Sequence, residues 1–490
     1  MKGFDVLKVK SAVKNHNKFD LSRTHLTTMD FGQIVPLLAE ETIPGDKFTI
    51  DGNYFSRLAP LVKPTYGKFA FKTVAGYVPY HMLAADADAW LTGKITWEGV
   101  TPVQRHFTVN ELRIFVVQNC LTPAGATSAN TDYAYTDSDG TVKYMVLTNK
   151  GRYFVKVLNA LGYVIPDNVN LQTSSDWLTS IASLKLSAYP LLAFFKLYND
   201  YMSQSQRFNT SALSNFLNAV KYGRTVTGYT SATGAINANG LKVMFDNLFL
   251  NYENDYFTSA WQAPNQPLST LEQVNTVTVP GGTVGGSAAN VSDNQYNTYI
   301  NSTHLGNGIT QRLLDFMKSF DDWVRRNNYS GSRAVQQVYS RFGIKTSDYR
   351  DHYANVLGTD TMPVNVGDVT ATADAAGVPL GDYAGKGIVN GSKTVSVQCD
   401  DYGIIIVLGY VTVVPMNPYG YDRKVLRNTP TDYYTPEFDG IGADPISVGE
   451  VFTNATVTSS TQDNATFGFT ERYNSYRYGH DHIYKNCIFQ

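Results

Sequence analysis

The sequence predicts a mainly β protein: one β-sandwich, closed by an N-terminal and a C-terminal β-rich stretch, with large helical and loop insertions between them. Three observations carry that expectation. Apolar and polar residues alternate in Lys47–Ile50 and Lys68–Val78, and β-branched runs return late in the chain, above all IIIVLGYVTVV at Ile404–Val414. The helical period of 3.6 is confined to the middle. Charged residues are only 17% of the chain, while 39 Gly, 19 Pro and 33 Tyr suit strands joined by long loops and a surface in contact with something else.

Taken in order, residues 1–26 form a basic arm. Lys2, Lys8, Lys10, Lys14, Lys18 and Arg23 face only Asp5 and Asp20 there. Residues 27–125 read as the first strands and turns of the sandwich. Pro44-Gly45-Asp46 is a turn signal leading into Lys47–Ile50, and Lys68–Val78 stops at Pro79.

Residues 126–305 change character. Ala124–Lys143 is polar and loop-like. Ser187–Met202 is a helix, with Pro190 in its first turn and Leu191, Phe194, Phe195, Tyr198, Tyr201 and Met202 on one face. Thr210–Tyr222 resembles a capped helix ended by Gly223, and Thr276–His304 is a Gly-, Ser- and Asn-rich excursion. Residues 306–363 are helical, with an apolar stripe along Ile309–Arg326 and a second helix at Ser332–Phe342 ended by Gly343. Residues 364–490 return to strands at Val364–Ala373, Thr394–Val397, Gly403–Val414 and Ser447–Val457, followed by a C-terminal segment.

Composition excludes several classes. A net charge of -2, with 13% aromatic residues, is not that of a disordered chain, a coiled coil or a strongly basic nucleic-acid binder. The longest apolar run is far short of a membrane-spanning helix, so no membrane insertion is expected. The N-terminus has no apolar signal region, and Cys120, Cys399 and Cys487 are widely spaced. A protein folded in a reducing cytoplasm, with free or buried thiols and no metal site, is the expectation.

No motif points to catalysis. Asp382–Gly387 looks like a phosphate loop, but Leu380 and Gly387 stand where Gly and Ser or Thr are needed, which leaves a Gly-rich turn. His480 and His482 have no identifiable third ligand. Asp321-Asp322 and Asp400-Asp401 are adjacent and point apart, so the first fits a solvated helix face and the second a turn before the Ile404 strand. No cofactor is expected.

Arg472–Lys485 (RYNSYRYGHDHIYK) is more informative. Arg472, Arg477 and Lys485 alternate with Tyr473, Tyr476, Tyr478 and Tyr484, as in grooves that hold single-stranded nucleic acid between cations and stacked rings. The other reading is a segment whose tyrosines pack on the sandwich or on a neighbour. The basic arm likewise either touches nucleic acid or is a solvated tail.

A series of short motifs, in a shared order, resembles the major capsid proteins of microviruses, the small isometric phages with circular single-stranded DNA. It runs through Arg23-Thr24-His25-Leu26-Thr27-Thr28, Ile43–Phe48, Arg57-Leu58-Ala59-Pro60-Leu61, Val78-Pro79 and Asp255–Ala260. Gly331-Ser332-Arg333, Arg341-Phe342-Gly343, Leu380–Gly387, Asp432–Phe438, Phe467-Gly468-Phe469 and Arg472-Tyr473 continue it. Ala334 stands where the family has an aromatic residue, and Ala124–Lys143 and Thr276–His304 have no counterpart, which suits a divergent, gokushovirus-like branch.

The resemblance implies an eight-stranded antiparallel jelly-roll sandwich with large insertions, assembling through pentameric capsomers into a T=1 icosahedral shell. It implies a single-stranded DNA genome, internal scaffolding and small DNA-binding or pilot proteins, and a host surface receptor as partners. The location it implies is the virion, assembled in the host bacterial cytoplasm. Jelly rolls have other uses too, so a carbohydrate-binding β-sandwich is the alternative, and a glycoside hydrolase would need a carboxylate pair that the sequence does not single out.

Overall fold

The computed structural model describes residues 17–58, 68–99, 101–123, 133–136, 142–165, 181–203, 211–224, 228–230, 234–250, 255–260, 319, 322–323, 339–343, 353–367, 386–413, 420–439, 443–452 and 465–479. Three long strands come first: β1 (Ile34–Thr42), β2 (Lys47–Arg57) and β3 (Phe69–Pro79). Short helices α1 (Tyr80–Leu83) and α2 (Ala87–Leu91) follow, then β4 (His106–Thr108), α3 (Val109–Asn119) and β5 (Leu121–Pro123). The middle holds β6 (Tyr133–Thr136), β7 (Val142–Leu147), α4 (Asn149–Ala160), β8 (Lys185–Ser187), α5 (Tyr189–Tyr201), α6 (Ser211–Lys221) and α7 (Ala238–Asp246). Strands return with β9 (Asn355–Pro363), β10 (Asn365–Gly367), β11 (Lys386–Gln398) and β12 (Gly403–Val413). Beyond them lie β13 (Ala443–Ser447), α8 (Val448–Val451) and β14 (Thr466–Glu471).

A four-stranded sheet, β1-β12-β3-β9, faces a three-stranded sheet, β10-β11-β2, and every pairing is antiparallel. Between them Phe71 and Met362 meet Val389 and Tyr54, and further along Tyr77 and Ile405 meet Val397 and Ile50. The sheets approach closely at Gly391, where a Cβ would strike the Met362 side chain. The first long strand lies beside the last, so N- and C-terminal parts of the chain close one sandwich, as the order of strands, insert and strands requires.

The apolar run at residues 404–414 explains itself in this setting. Side chains alternate along a strand. Ile405 joins the core between the sheets, while Ile404, Ile406 and Leu408 face a second, helical core. A strand buried on both sides has no polar face, so its sequence is continuous rather than alternating.

The helical layer covers that second face. Leu197 of α5 lies against Gly76 of β3, where any Cβ would strike it. Phe115, Phe154, Phe195 and Phe245, from α3, α4, α5 and α7, interlock with ring centroids 4.8–6.2 Å apart. Side chains of Thr108, Thr148 and Asn237 cap α3, α4 and α7 by accepting the N–H of Glu111, Gly151 and Gly240. The helices expected at residues 187–202 and 210–222 are present, with Pro190 in the first turn of α5 and Gly223 at a positive φ of 61° after α6.

Several expectations are corrected. The described chain mixes helices with antiparallel sheets and is less purely β than its sequence suggests. Residues 27–125 contain α1, α2 and α3 as well as strands. Ser447–Val457 is not a continuous strand: β13 ends at Ser447, whose capping box with Glu450 starts α8. The excursion Thr276–His304 lies outside the described residues. So do most of Ile309–Arg326 and Ser332–Phe342, and Ala124–Lys143 apart from β6 and the start of β7.

Candidate assembly and nucleic-acid contact surfaces

The arm enters the described structure at Asn17 and runs to Asp30 without regular structure, almost wholly exposed. Phe19, Leu21 and Leu26 project into solvent, Leu26 with 95% of its surface exposed. Arg23 ties the arm to β1 by donating to the Ala39 carbonyl and pairing with Glu40. Phe31 then packs at a tilt against Phe69 with centroids 5.0 Å apart, where the arm joins the sandwich. Lys18 is exposed; Lys2, Lys8, Lys10 and Lys14 lie outside the described residues.

The C-terminal segment belongs to a small lobe built on β13 and β14, which pair antiparallel. Its apolar seed is Tyr256, Phe257, Ala260 and Ile446, with Val451 and Phe467 against it. Burial pushes the Tyr256 phenol well above its ordinary range. Arg423 and the buried Glu450 pair at 2.7 Å and fasten α8 to the 423–425 turn.

Arg472, Tyr473, Tyr476 and Arg477 do come together here, and the company they keep defines them. Tyr473 is only 2% exposed. It adopts a left-handed φ of 62°, donates its N–H to Asp444 at 2.9 Å, and packs edge-on against Tyr434 and Tyr476. The Arg472 guanidinium lies 5.2 Å from both the Phe438 and Tyr473 rings. Arg477 bridges Asp439 at 2.6 Å and Glu471 at 3.1 Å. Tyr478 is 64% exposed, and Lys485 and the His480–His482 pair lie outside the described residues.

Two partners were not legible in the sequence. Arg427 sits 3.9 Å over the Tyr476 ring, and Tyr434 stands between Tyr473 and Tyr476. Tyr421, Val425, Tyr433, Tyr434, Tyr476 and Tyr478 are exposed on the same lobe. Across its described residues 421–479 seven carboxylates (Asp422, Asp432, Glu437, Asp439, Asp444, Glu450, Glu471) outnumber five cations (Arg423, Lys424, Arg427, Arg472, Arg477). Arg423 and Arg477 are paired with three of these carboxylates. Rings and arginines on an exposed face are the composition of protein–protein contact centres.

Nothing described resembles a reactive centre. Cys120 is buried and its thiol is pushed up to about 12 by that burial; Cys399 is raised for the same reason. Such thiols are poor nucleophiles. Asp400 and Asp401 lie in the bend before β12, as expected of a turn, and Asp401 pairs with His81 at 3.0 Å. Asp382–Ala384 and Gly385 lie outside the described residues, while Lys386 and Gly387 open β11. Among the described residues, no group of three or more His, Cys, Asp or Glu is placed to hold a metal, and no helix is long and apolar enough to cross a membrane.

Comparison with known proteins adds three findings. A family model described as "Capsid protein (F protein)" matches residues 7–155 and 166–487. The capsid protein VP1 of Chlamydia phage 1 is 24% identical over 525 aligned positions, covering 96% of this chain and 84% of its own. The capsid protein VP1 of Bdellovibrio phage phiMH2K is 21% identical, covering 96% and 82%.

Proposed function

The chain belongs to the phage capsid (F protein) family, and from that premise we propose that its copies close through pentameric capsomers into a T=1 icosahedral shell around single-stranded DNA. The coarser statements need no proposal: it is a structural protein of the virion of a microvirus-like bacteriophage, it assembles into a capsid, and it is not an enzyme. Family membership also removes the carbohydrate-binding sandwich as a reading of the whole chain.

The observation that best supports the finer reading is the strand order β1-β12-β3-β9 facing β10-β11-β2. Antiparallel double-sheet sandwiches of this kind include the jelly rolls of viral capsids, and the jelly-roll reading requires one strand beyond the seven of the two described sheets. A shell closes when the same contacts repeat by symmetry, and each entering subunit engages several neighbours at once, so single interfaces need only modest strength. The exposed rings of the C-terminal lobe and the exposed apolar residues of the arm supply contact surface of the right kind.

Lys2, Lys8, Lys10, Lys14, Lys18 and Arg23 are the cations given to the genome. Replacing the arm's lysines with Ala should leave particles intact and lower their DNA content; unchanged packaging would remove that role. Arg472, Tyr476, Arg477, Tyr478 and Lys485 are a second candidate DNA surface; the carboxylates beside Arg477 favour subunit contact as the reading of the described lobe. Tyr473, being buried, serves either role only by holding its neighbours. The excursion Thr276–His304 is assigned to the outer surface and host contact. Scaffolding and small DNA-binding or pilot proteins complete the partners, and assembly takes place in the bacterial cytoplasm. Sedimentation of the expressed chain tests the shell: particles whose mass is the T=1 multiple of 54.2 kDa are expected, and a stable monomer or a larger lattice would overturn the proposal.

A further inference from the structure

We propose that the N-terminal arm of one copy crosses the subunit boundary and docks on the C-terminal lobe of a second copy, with Phe19, Leu21 and Leu26 seated among the lobe's exposed rings. The inference rests on the reading of arm and lobe as subunit contact, and it names which surface meets which. Residues 17–30 have no regular structure, and all but Met29 are exposed. Met29 packs against the cores on both faces of the four-stranded sheet, while Arg23 pairs with Glu40 and donates to the Ala39 carbonyl of β1. Leu26 lies between these two anchors with 95% of its surface exposed, so it is held off its own chain rather than left loose. Phe19, 77% exposed, and Leu21 continue the apolar series beyond Arg23. Large apolar side chains pinned in water mark a surface made for a partner.

The lobe offers the complementary surface. Tyr433, Tyr434 and Phe438 are exposed on one short stretch. Tyr434 and Tyr476 meet edge-on at 6.1 Å, which joins that stretch to the exposed Tyr476 and Tyr478. The rings are fixed in advance: buried Tyr473 backs both Tyr434 and Tyr476, and Arg427 lies over Tyr476. A surface already ordered loses little freedom on binding. In the single chain the arm's apolar residues and the lobe's rings are both open, so neither covers the other within one copy. Contact between them is therefore contact between copies, which a capsid-family chain meets at every boundary. Fourteen residues of extended chain span up to about 45 Å, enough to cross such a boundary.

Charge favours the same pairing. Residues 1–30 carry six Lys and Arg against three Asp. The described residues of the lobe carry seven carboxylates against five cations. Glu437, which lies between Tyr434 and Phe438 in the chain, is exposed and has no ion pair among the described residues. Opposite net signs draw arm to lobe, and like signs keep arm from arm and lobe from lobe. Such complementarity sets the choice of partner and the rate of encounter more than the strength of the contact. The strength comes from Phe19, Leu21 and Leu26 on the rings, so the lysines of the arm remain available to the genome once it is seated.

Photo-cross-linking of the assembled full-length chain tests the pairing. With Phe19→p-benzoylphenylalanine, ultraviolet light should give covalent dimers, and mass spectrometry should find residue 19 joined to a peptide within residues 421–479. Dimers joined through any other region, cross-links to nucleic acid, or particles that give no dimers would overturn the proposal and leave the shell standing. The expected dimers in particles of another symmetry would support the pairing and overturn the T=1 reading alone. Chains that stay solitary at high concentration would overturn both. The double variant Phe19→Ser, Leu26→Ser gives a second readout. Both side chains are exposed in the single chain, so Tm of the unassembled protein should not fall, while association should weaken about tenfold or more. Association as tight as that of the wild type would contradict the proposal.

Discussion

Asp432 shows how a single side chain fixes the lobe that carries the exposed rings. It accepts the N–H groups of Asn428 at 3.0 Å and Thr429 at 2.8 Å, closing the turn from which Tyr433 and Tyr434 project. Burial works to raise its carboxyl, but these hydrogen bonds and the Thr429 hydroxyl outweigh it and hold the group below its ordinary 3.8. A depressed folded value means that the stabilisation is present at neutral pH and lost as pH falls through the folded value. Asp432→Asn should therefore weaken the lobe at pH 7, and mutant and wild type should converge in stronger acid. Hydrogen exchange of residues 428–434 at the two pH values checks this, and a constant difference would contradict it. Tyr473 and Arg477 were visible in the sequence as an alternation of rings and cations. Their commitments to Asp444, Asp439 and Glu471 were not, because those acids come from other elements and only folding brings them near.

At the scale of elements, strand β12 was legible and helix α3 was not, for opposite reasons. Eleven residues of β12, mostly β-branched or Leu, sit between two cores, so composition and environment agree. Ile405→Ala should loosen the sandwich and Ile406→Ala the helical layer, each by about 2–5 kcal/mol. Denaturant unfolding of the chain measures both, and a loss confined to one would show that only one face of β12 is core. Helix α3 (VNELRIFVVQN) is rich in the residue types strands prefer. Its helical state comes from the Thr108 cap and from Leu112, Phe115 and Val116 packing into the helical core, a tertiary choice that overrides local preference. The start of α8 did carry a local signal, the Ser447–Glu450 capping box, hidden within an apparently strand-like run.

For the whole molecule, the strands and helices of the described residues were readable where hydrophobic period reflects which faces are covered. What covers the outside was not readable, since the neighbours are other copies. The lobe's rings make the clearest test of subunit contact. The double variant Tyr433→Ser, Tyr478→Ser removes two exposed rings of the lobe and should fold with little change in Tm, yet weaken each contact by about 2 kcal/mol or more and so cut shell yield steeply. Normal shells from it would move the interface elsewhere. Electron cryo-microscopy of the chain expressed with its genome and scaffolding tests the central claim most directly. The expected image is a closed T=1 particle in which the sandwich of β1-β12-β3-β9 on β10-β11-β2 tiles the wall and the arm lies against the interior. A population of solitary chains at high concentration, or a shell of another symmetry, would contradict it.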